Sequence, residues 1–309
     1  MVPDNPLPFV SVVIPVFNDP EGLARCLEAL DRQTYPRERY ECVVVDNGSD
    51  EPLNPASVVS RYRWARLAAE RKPGSYAARN RGIRLAKGEI IAFTDADCIP
   101  DQRWLEAGVR CFQEEPSLAA LAGGIEVVVL HAGPRSAVEI YEQAVAFEPE
   151  KLLRTQNYGV TANLFAPRSV FDKVGWFSED LKSGGDLEWG QRVHALGLPQ
   201  RFAGDVRVAH PPRSTAADLR RKTVRVVGGK YDRYVRVRPS PLSRLAFFLA
   251  MVGRRLAEIP LALPYHLFVD RRVRGFHNRV RFGWMSIWVR AVEIGEITRL
   301  FRGKPSARV

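Results

Sequence analysis

The sequence predicts an α/β fold, with a mainly parallel sheet flanked by helices and a helical extension at the C-terminal end. Over the first 125 residues, short apolar runs alternate with helix-like segments, which is typical of right-handed βαβ units. From residue 239 onward, aromatic and aliphatic clusters are mixed with closely spaced arginines. The 309 residues are 46% hydrophobic and 26% charged, an ordinary globular composition with enough apolar material for a core.

The individual elements are predicted from apolar periodicity and from start and stop signals. The continuous β-branched run at residues 9–16 predicts a buried strand, and Asp19 with Pro20 supplies the start of the next helix. The other elements predicted in the first half are strands at 40–45, 63–68 and 89–94 and helices at 76–86 and 101–114. The weaker pattern after residue 125 predicts strands at 125–130 and 157–166, helices at 136–147 and 187–196, and a short apolar run at 207–209.

The charge is distributed unevenly along the chain. The net charge is +11, but residues 201–309 carry 24 basic and 7 acidic groups, a net of +17, whereas residues 1–200 carry a net of −6. A strongly basic C-terminal part favours a polyanionic neighbour, either nucleic acid or an anionic membrane surface.

Cysteine usage and the distribution of apolar residues predict a cytoplasmic protein. The four cysteines form no CxxC pair, so we expect them to be reduced and mostly buried. The N-terminal segment lacks the basic leader and the cleavable apolar region of a signal peptide. No uncharged apolar stretch reaches about 18 residues, so a simple transmembrane helix is not expected.

Two carboxylates, Asp95 and Asp97, follow the apolar run IIAFT and precede Pro100. They are predicted to lie at the carboxyl end of a strand, where ligands bind in parallel sheets. Like charges this close repel, and a divalent cation with oxygen ligands such as Mg²⁺ or Mn²⁺ would offset that cost. The alternative is structural, with Asp95 capping the next helix and Asp97 in a turn.

Five segments carry a family resemblance: SVVIPVFND, VVVDNGSD, RKPGSYAARNRGI, FTDADCIP and SGGDLEWGQRV. In this order they resemble the family 2 glycosyltransferases, which are inverting enzymes of the Rossmann-like GT-A fold. The resemblance covers roughly residues 9–210. It implies a catalytic domain at 1–238, with a nucleotide-binding half at about 9–124 and an acceptor-side half at about 125–238, followed by a basic helical extension at 239–309.

The resemblance implies roles for residues in the nucleotide-binding half. Pro15, Phe17 and Asn18 match the loop that lines the nucleotide pocket, and Asp46 matches the acid that contacts the uracil or ribose of a UDP-sugar. An Asx turn is the alternative for Asp46.

The next two segments of the resemblance concern the diphosphate and the metal ion. Gly74 and Arg79 match the segment near the donor diphosphate, although Arg79 as a surface charge is the alternative. Asp95 and Asp97 match the DXD motif, in which the second acid binds the metal and the first contacts ribose or a metal-bound water.

Two further residues are implied to act in catalysis. Asp186 matches the catalytic base, although helix capping is the alternative. The family pattern carries an acid just before the base, where this chain has Gly185, so Glu188 stays open as a substitute. His210 ends the last strand-like run and is implied as a third metal ligand or a diphosphate contact; the alternative is a structural histidine.

The function implied by the resemblance is a metal-dependent, inverting transfer of a sugar from a nucleotide-sugar to an acceptor hydroxyl. A UDP-sugar is the expected donor, Mn²⁺ or Mg²⁺ the expected cofactor, and a carbohydrate or lipid-linked acceptor in cell-surface polysaccharide or glycolipid synthesis the expected partner. The sequence contains no GxxxxGK[ST] and no GxGxxG after a strand, which argues against a kinase or a dehydrogenase.

The basic extension has two interpretations. Its helices either pack on the rest of the protein or a second subunit, or attach peripherally to the cytoplasmic face of a membrane. Other classes stay open as alternatives: a sugar-nucleotide pyrophosphorylase, or a catalytically inactive membrane- or nucleic-acid-binding protein on a GT-A fold. Nucleic-acid binding is not expected, because the arginines are interleaved with apolar blocks, and an oligomer is compatible with the sequence.

Overall fold

The computed structural model describes residues 7–237 and 240–307, which form two compact units. The first, called the sheet unit, comprises Met1–Glu126, Phe147–Glu179 and Gly185–His210. The second, called the helical unit, comprises Val127–Ala146, Asp180–Gly184 and Pro211–Val309. The predicted domain boundary between residues 238 and 239 lies outside the described residues and stays a prediction.

The sheet contains eight strands. In chain order they are β1 Val10–Val16, β2 Tyr40–Asp46, β3 Ala65–Ala69, β4 Ile90–Thr94, β5 Ile99–Pro100, β6 Ala120–Val127, β7 Asn163–Pro167 and β8 Gln200–His210. Their spatial order is β3-β2-β1-β4-β7-β6-β8-β5. The pairs β3–β2, β2–β1 and β1–β4 are parallel, whereas β4–β7, β7–β6 and β8–β5 are antiparallel. The α/β class is therefore confirmed, and the sheet is mixed, with its parallel part in the first half of the chain.

Helices cover both faces of the sheet unit. They are α1 Pro20–Asp31, α2 Ala56–Val59, α3 Ser75–Leu85 and α4 Trp104–Glu114, with α6 Pro149–Gln156, α7 Arg168–Val174 and α8 Gly185–Ala195 later in the chain and a 3₁₀ turn at Arg37–Arg39. Asp19 caps α1 by accepting a hydrogen bond from the Gly22 backbone N–H at 2.8 Å. This confirms the predicted helix start.

Two apolar clusters lie on opposite faces of the sheet, because successive strand side chains alternate in direction. Val12 and Ile14 of β1 belong to one cluster, and Val13 belongs to the other. The second cluster includes a group of aromatic rings from β4, α7, α8 and the segment before it: Phe93, Phe171, Phe177 and Trp189. Helix α3 packs closely on β1 because residue 82 is glycine; a Cβ there would lie 2.3 Å from Cγ1 of Val13.

The second half of the sheet departs from its predicted boundaries. Strand β6 begins five residues before the predicted strand at 125–130, and its first four residues, Ala120 to Gly123, are buried. A Cβ at Gly123 would lie 2.2 Å from the Asn163 side chain. The predicted strand at 157–166 begins only at Asn163, because Asn157 takes the left-handed conformation (φ 57°) that ends α6. Strand β8 extends far beyond the apolar run predicted at 207–209.

The helical unit consists of helices α5 Ala137–Val145, α9 Ala216–Val237, α10 Pro241–Pro264 and α11 Phe276–Phe301, with a π turn at Tyr265–Val269. Helix α11 packs against α5, α9 and α10.

Buried charges in this unit are paired: Glu142, 2% exposed, accepts hydrogen bonds from Lys222 at 2.7 Å and Arg213 at 2.9 Å. Among residues 7–237 and 240–307, no helix has the length and apolar character needed to cross a membrane.

Candidate active site

The polar residues predicted as site residues cluster at one edge of the sheet. Strands β1, β2 and β4 run parallel, so their carboxyl ends meet at the same edge. Asn18 follows β1, Asp46 ends β2, and Asp95 follows β4. The structure thus places the loop after β1, the Asp46 carboxylate and Asp95 at the carboxyl ends of the parallel strands; their predicted roles in nucleotide and metal binding stay predictions.

The loop after β1 is tied to the loop after β2 through Asn18. Its backbone N–H donates to Oγ of Ser49 at 2.9 Å, and its side chain exchanges two hydrogen bonds with Asp50 at 2.9 and 2.8 Å. Asn18 also has a positive φ of 52°, a conformation that asparagine tolerates better than most residues. Pro15 is half-buried in β1 and Phe17 is exposed, so Phe17 offers an apolar surface at this edge.

Asp46 and Asn47 shape the loops that follow β2 and β3. Oδ1 of Asp46 accepts a hydrogen bond from the Ser49 N–H at 3.0 Å, so the Asx turn weighed as the alternative is present; the predicted contact with a nucleotide stays a prediction. Asn47 donates to the carbonyl oxygens of Glu70 and Lys72, both at 2.9 Å. Asn47 was not predicted as a functional residue.

Gly74 is the N-cap residue of α3 and has φ 128°, a backbone conformation that side chains strongly disfavour. Its N–H donates to Oδ1 of Asn47 at 2.6 Å. The glycine is therefore required by the turn that leads into α3, in addition to its predicted position near a diphosphate.

Asp95 is held by Arg79 of helix α3. The Arg79 guanidinium, 4% exposed, donates a hydrogen bond to Oδ1 of Asp95, and it also lies 5.7 Å from the centre of the Tyr76 ring. Arg79 is thus a buried partner of the DXD motif and not the surface charge weighed as its alternative. Its predicted diphosphate contact stays a prediction.

Asp97 faces His210 because β5 pairs with β8, the last two strands in the order of the sheet. In the antiparallel β5–β8 pair, Ile99 lies opposite Ala209, and continuing this register places Cys98 opposite His210. Nε2 of His210 lies 3.5 Å from Oδ2 of Asp97. The imidazole is buried, and its ring centre lies 4.9 Å from that of Phe147. The strand pairing therefore juxtaposes residues that are far apart in sequence.

Asp97, Cys98 and His210 lie close enough together to supply ligands to a divalent cation. One ligand atom each from Asp97, Cys98 and His210 lie within 4.8 Å of one another. Burial raises the pKa of the Cys98 thiol well above its usual value, so the thiolate needed for metal binding is disfavoured. A carboxylate oxygen with a neutral imidazole nitrogen suits Mn²⁺, whereas Mg²⁺ prefers oxygen ligands alone.

Asp186 lies in the first turn of α8, where the helix dipole favours negative charge. Its Oδ1 accepts hydrogen bonds from the Tyr76 hydroxyl at 3.2 Å and from the Leu187 N–H at 2.9 Å. Burial raises the pKa of Asp186, and this is opposed by the Leu187 N–H, the Arg79 charge and the Tyr76 hydroxyl. A carboxylate with a raised pKa accepts protons more readily and suits a general base.

Contacts in the sheet unit also explain the departure at residue 185. A Cβ on Gly185 would lie 2.8 Å from carbon atoms of the Tyr76 ring, so a side chain cannot be added while Tyr76 holds Asp186. Glu188 is engaged elsewhere, because Arg192 donates to it from Nε at 2.8 Å and from Nη2 at 3.1 Å. These contacts favour Asp186 over Glu188 as the base.

Comparison with solved structures identifies the fold. The mannosyltransferase PcManGT from Pyrobaculum calidifontis, solved with GDP-Man and Mn²⁺, matches with a TM-score of 0.59 and 18% identity, over 93% of this chain and 87% of that one. TarS 1–349 from S. aureus matches with a TM-score of 0.53 and 15% identity, over 96% and 92% of the two chains. The protein therefore has the GT-A fold of glycosyltransferases.

Sequence comparison identifies the family. The profile of glycosyl transferase family 2 matches residues 11–171. Glycosyltransferase AglE of Haloferax volcanii is 38% identical over 229 residues, which cover 72% of this chain and 73% of the relative. A glucuronosyltransferase of Methanococcus voltae, named for a dolichyl N-acetyl-glucosaminyl phosphate substrate, is 29% identical over 70% of this chain and 71% of its own. The chain belongs to glycosyl transferase family 2 and is a glycosyltransferase.

Replacing Tyr76 with Phe tests the contact between Tyr76 and Asp186. The hydroxyl donates to the carboxylate and lowers its pKa, so its removal raises the pKa of Asp186 further. With Asp186 as the predicted base, which must be ionised to act, the acidic limb of the pH–activity profile moves to higher pH. The measurement is the rate of sugar transfer as a function of pH.

The matched control is Tyr62→Phe, in a residue that packs against Trp64 in the same unit. This variant leaves the acidic limb where it is. An unchanged limb in Tyr76→Phe would show that the hydrogen bond does not influence the group that titrates.

Proposed function

We propose that the protein is a metal-dependent, inverting glycosyltransferase that moves a sugar from a UDP-sugar to an acceptor hydroxyl. The observation that carries this proposal is the pairing of Asp97 with His210 at 3.5 Å, on the sheet edge that also carries Asp46 and Asp95. A carboxylate and an imidazole in this position support a cation site beside a nucleotide site. The Mn²⁺ complex of the Pyrobaculum mannosyltransferase supports the use of a divalent ion.

The nucleotide is bound at the edge formed by the loops after β1 and β2. The exposed Phe17 ring covers the base, and the Asp46 carboxylate accepts hydrogen bonds from the ribose or uracil. Gly74 lets the backbone before α3 approach the diphosphate without a side chain in the way. Asp95, oriented by Arg79, contacts the ribose or a water bound to the ion.

Asp97 and His210 hold the ion in this proposal. When bound there, a divalent cation offsets the negative charge that develops on the diphosphate as the sugar leaves. Asp186 takes the proton of the acceptor hydroxyl, which attacks the anomeric carbon from the side opposite the diphosphate. This single displacement inverts the configuration of the sugar and needs no covalent sugar–enzyme intermediate.

The acceptor is a glycan or lipid-linked glycan in cell-surface synthesis, and the enzyme works as a peripheral protein on the cytoplasmic face of a membrane. The net charge of +17 in residues 201–309 supports this location, since anionic lipids attract basic surfaces of proteins on that face. The lipid phosphate in the name of the Methanococcus relative supports a lipid-linked acceptor.

Calorimetric titration of UDP with and without Mn²⁺ tests the donor and the metal. We expect binding that requires Mn²⁺, and we expect Asp97→Ala to weaken it by at least about tenfold through loss of a metal ligand. The matched control is Asp172→Ala, an exposed acid on α7, which leaves the affinity unchanged. If GDP or dTDP binds instead of UDP, the donor assignment is wrong; equal UDP affinity without any divalent ion contradicts the metal requirement.

Replacing Asp186 with Asn tests the base. The amide keeps the size of the side chain but cannot accept the proton, so kcat falls by about 100-fold or more while the affinity for the donor is retained. Glu188→Gln serves as the comparison, and because Glu188 is engaged by Arg192 we expect near-normal turnover. A larger loss in the Glu188 variant than in the Asp186 variant would transfer the role to Glu188.

A further inference from the structure

Helix α10 presents a long apolar face that no described residue covers. Leu242, Leu245, Leu249 and Leu256 are all exposed and recur at spacings of 3, 4 and 7 residues, which places them on one side of a helix. The same side carries small or apolar exposed residues between and beyond them: Ala246, Ala250, Gly253, Ala257, Pro260, Leu261 and Pro264. We call this set the α10 apolar face; over 24 residues it is about 36 Å long.

The opposite side of α10 is buried within the helical unit. Phe247 and Ala262 are buried, and the Phe247 ring lies 5.5 Å from that of Tyr231 on α9. Arg255 donates to Glu293 of α11 at 3.2 Å. Since one side of the helix packs on protein and the other is exposed and apolar, the α10 apolar face is suited to lie along a surface.

The exposed apolar surface continues past the helix end and is accompanied by positive charge. Tyr265, Phe268 and Val269 of the π turn are exposed. Nine arginines and two acids lie in residues 241–292. Both acids are paired: Glu258 accepts from Arg254 and Arg255 at 2.8 Å, and Asp270 accepts from Arg272 at 2.6 Å. Exposed arginines such as Arg244 and Arg274 therefore leave this region strongly positive.

We propose that the α10 apolar face docks in the interfacial layer of an anionic lipid bilayer. The leucines and Phe268 enter the boundary between headgroups and acyl chains, and the exposed arginines contact lipid phosphates. An in-plane helix with an apolar side and flanking basic residues is how peripheral proteins bind such membranes. The proposal deepens the peripheral membrane association proposed above and rests on it, but it is independent of the donor nucleotide and the metal.

The positive charge and the exposed leucines together favour a bilayer over a second protein copy or nucleic acid as the partner of the α10 apolar face. A second copy of the chain would bring the same excess of arginines to the same face, and like charges repel. Nucleic acid would satisfy the arginines but leave the row of leucines exposed, since nucleic acid is bound mainly through phosphates and base edges. An anionic bilayer complements both the charge and the apolar side chains.

The test is co-sedimentation of the full chain with vesicles of phosphatidylcholine alone and of phosphatidylcholine mixed with phosphatidylglycerol. We expect binding to the mixed vesicles that weakens as salt is added. The double variant Leu249→Gln/Leu256→Gln replaces two side chains that are 59% and 56% exposed. Partitioning onto the mixed vesicles falls by about tenfold or more, because two apolar contacts are replaced by amides.

The matched control makes the same two changes at exposed leucines elsewhere. Leu130→Gln/Leu196→Gln alters side chains that are 49% and 52% exposed and leaves vesicle binding unchanged. Light scattering of the wild type and both variants is recorded in the absence of vesicles. It detects aggregation of a misfolded variant and any change in self-association. UDP binding with Mn²⁺, also without vesicles, reports on the donor site separately.

The outcomes separate the two proposals. If the wild type does not bind either kind of vesicle, both the docking surface and the peripheral membrane association are wrong, and donor binding is untouched by that result. If it binds and the Leu249/Leu256 variant binds equally well, the membrane association holds and the α10 apolar face is not its surface. If the wild type is a dimer that this variant splits into monomers, a second copy covers the face and the bilayer proposal is overturned.

Discussion

Side chains of helix α3 hold two of the acids of the candidate active site in place. Arg79 holds Asp95 after β4, and Tyr76, one turn earlier, holds Asp186 at the start of α8. Asn80 donates to the Phe177 carbonyl at 2.9 Å and accepts from the Phe177 N–H at 3.1 Å. One short helix, which packs closely on β1 at Gly82, thus positions both Asp95 and the predicted base Asp186.

The antiparallel strand pair β5–β8 adds a histidine to the acids that follow the parallel strands. The carboxyl ends of the parallel strands and the loops after them carry the carboxylates of Asp46, Asp95 and Asp97, and like charges close together repel one another. The β5–β8 pair adds the buried imidazole of His210 beside Asp97, and the buried guanidinium of Arg79 offsets Asp95. The mixed topology therefore places an imidazole beside a carboxylate, which is the pairing on which the proposed cation site rests.

Local signals in the sequence were sufficient for the parallel strands, for helices α1, α3 and α4, and for the position of Asp95 after a strand; the one-turn helix α2 was not predicted. These signals were insufficient to predict that Tyr76 contacts Asp186. The two residues are 110 positions apart, and neither segment carries a sequence pattern that indicates the contact. The sequence alone showed Gly185 only as a departure from the family pattern. The structure gives its reason, because the Tyr76 ring occupies the space that a side chain at residue 185 would need. Strand β5 was missed because two residues, Ile99 and Pro100, carry no periodicity.

In the proposed function, Asp97 and His210 bind one divalent ion beside the nucleotide. Electron paramagnetic resonance of Mn²⁺ bound to protein labelled with ¹⁵N-histidine measures whether a histidine nitrogen binds the ion. We expect a histidine nitrogen coupling to the ion that disappears in His210→Gln and persists in His194→Gln, since His194 is an exposed histidine of α8. A Mn²⁺ signal without histidine coupling, or a coupling unaffected by the His210 substitution, would contradict it.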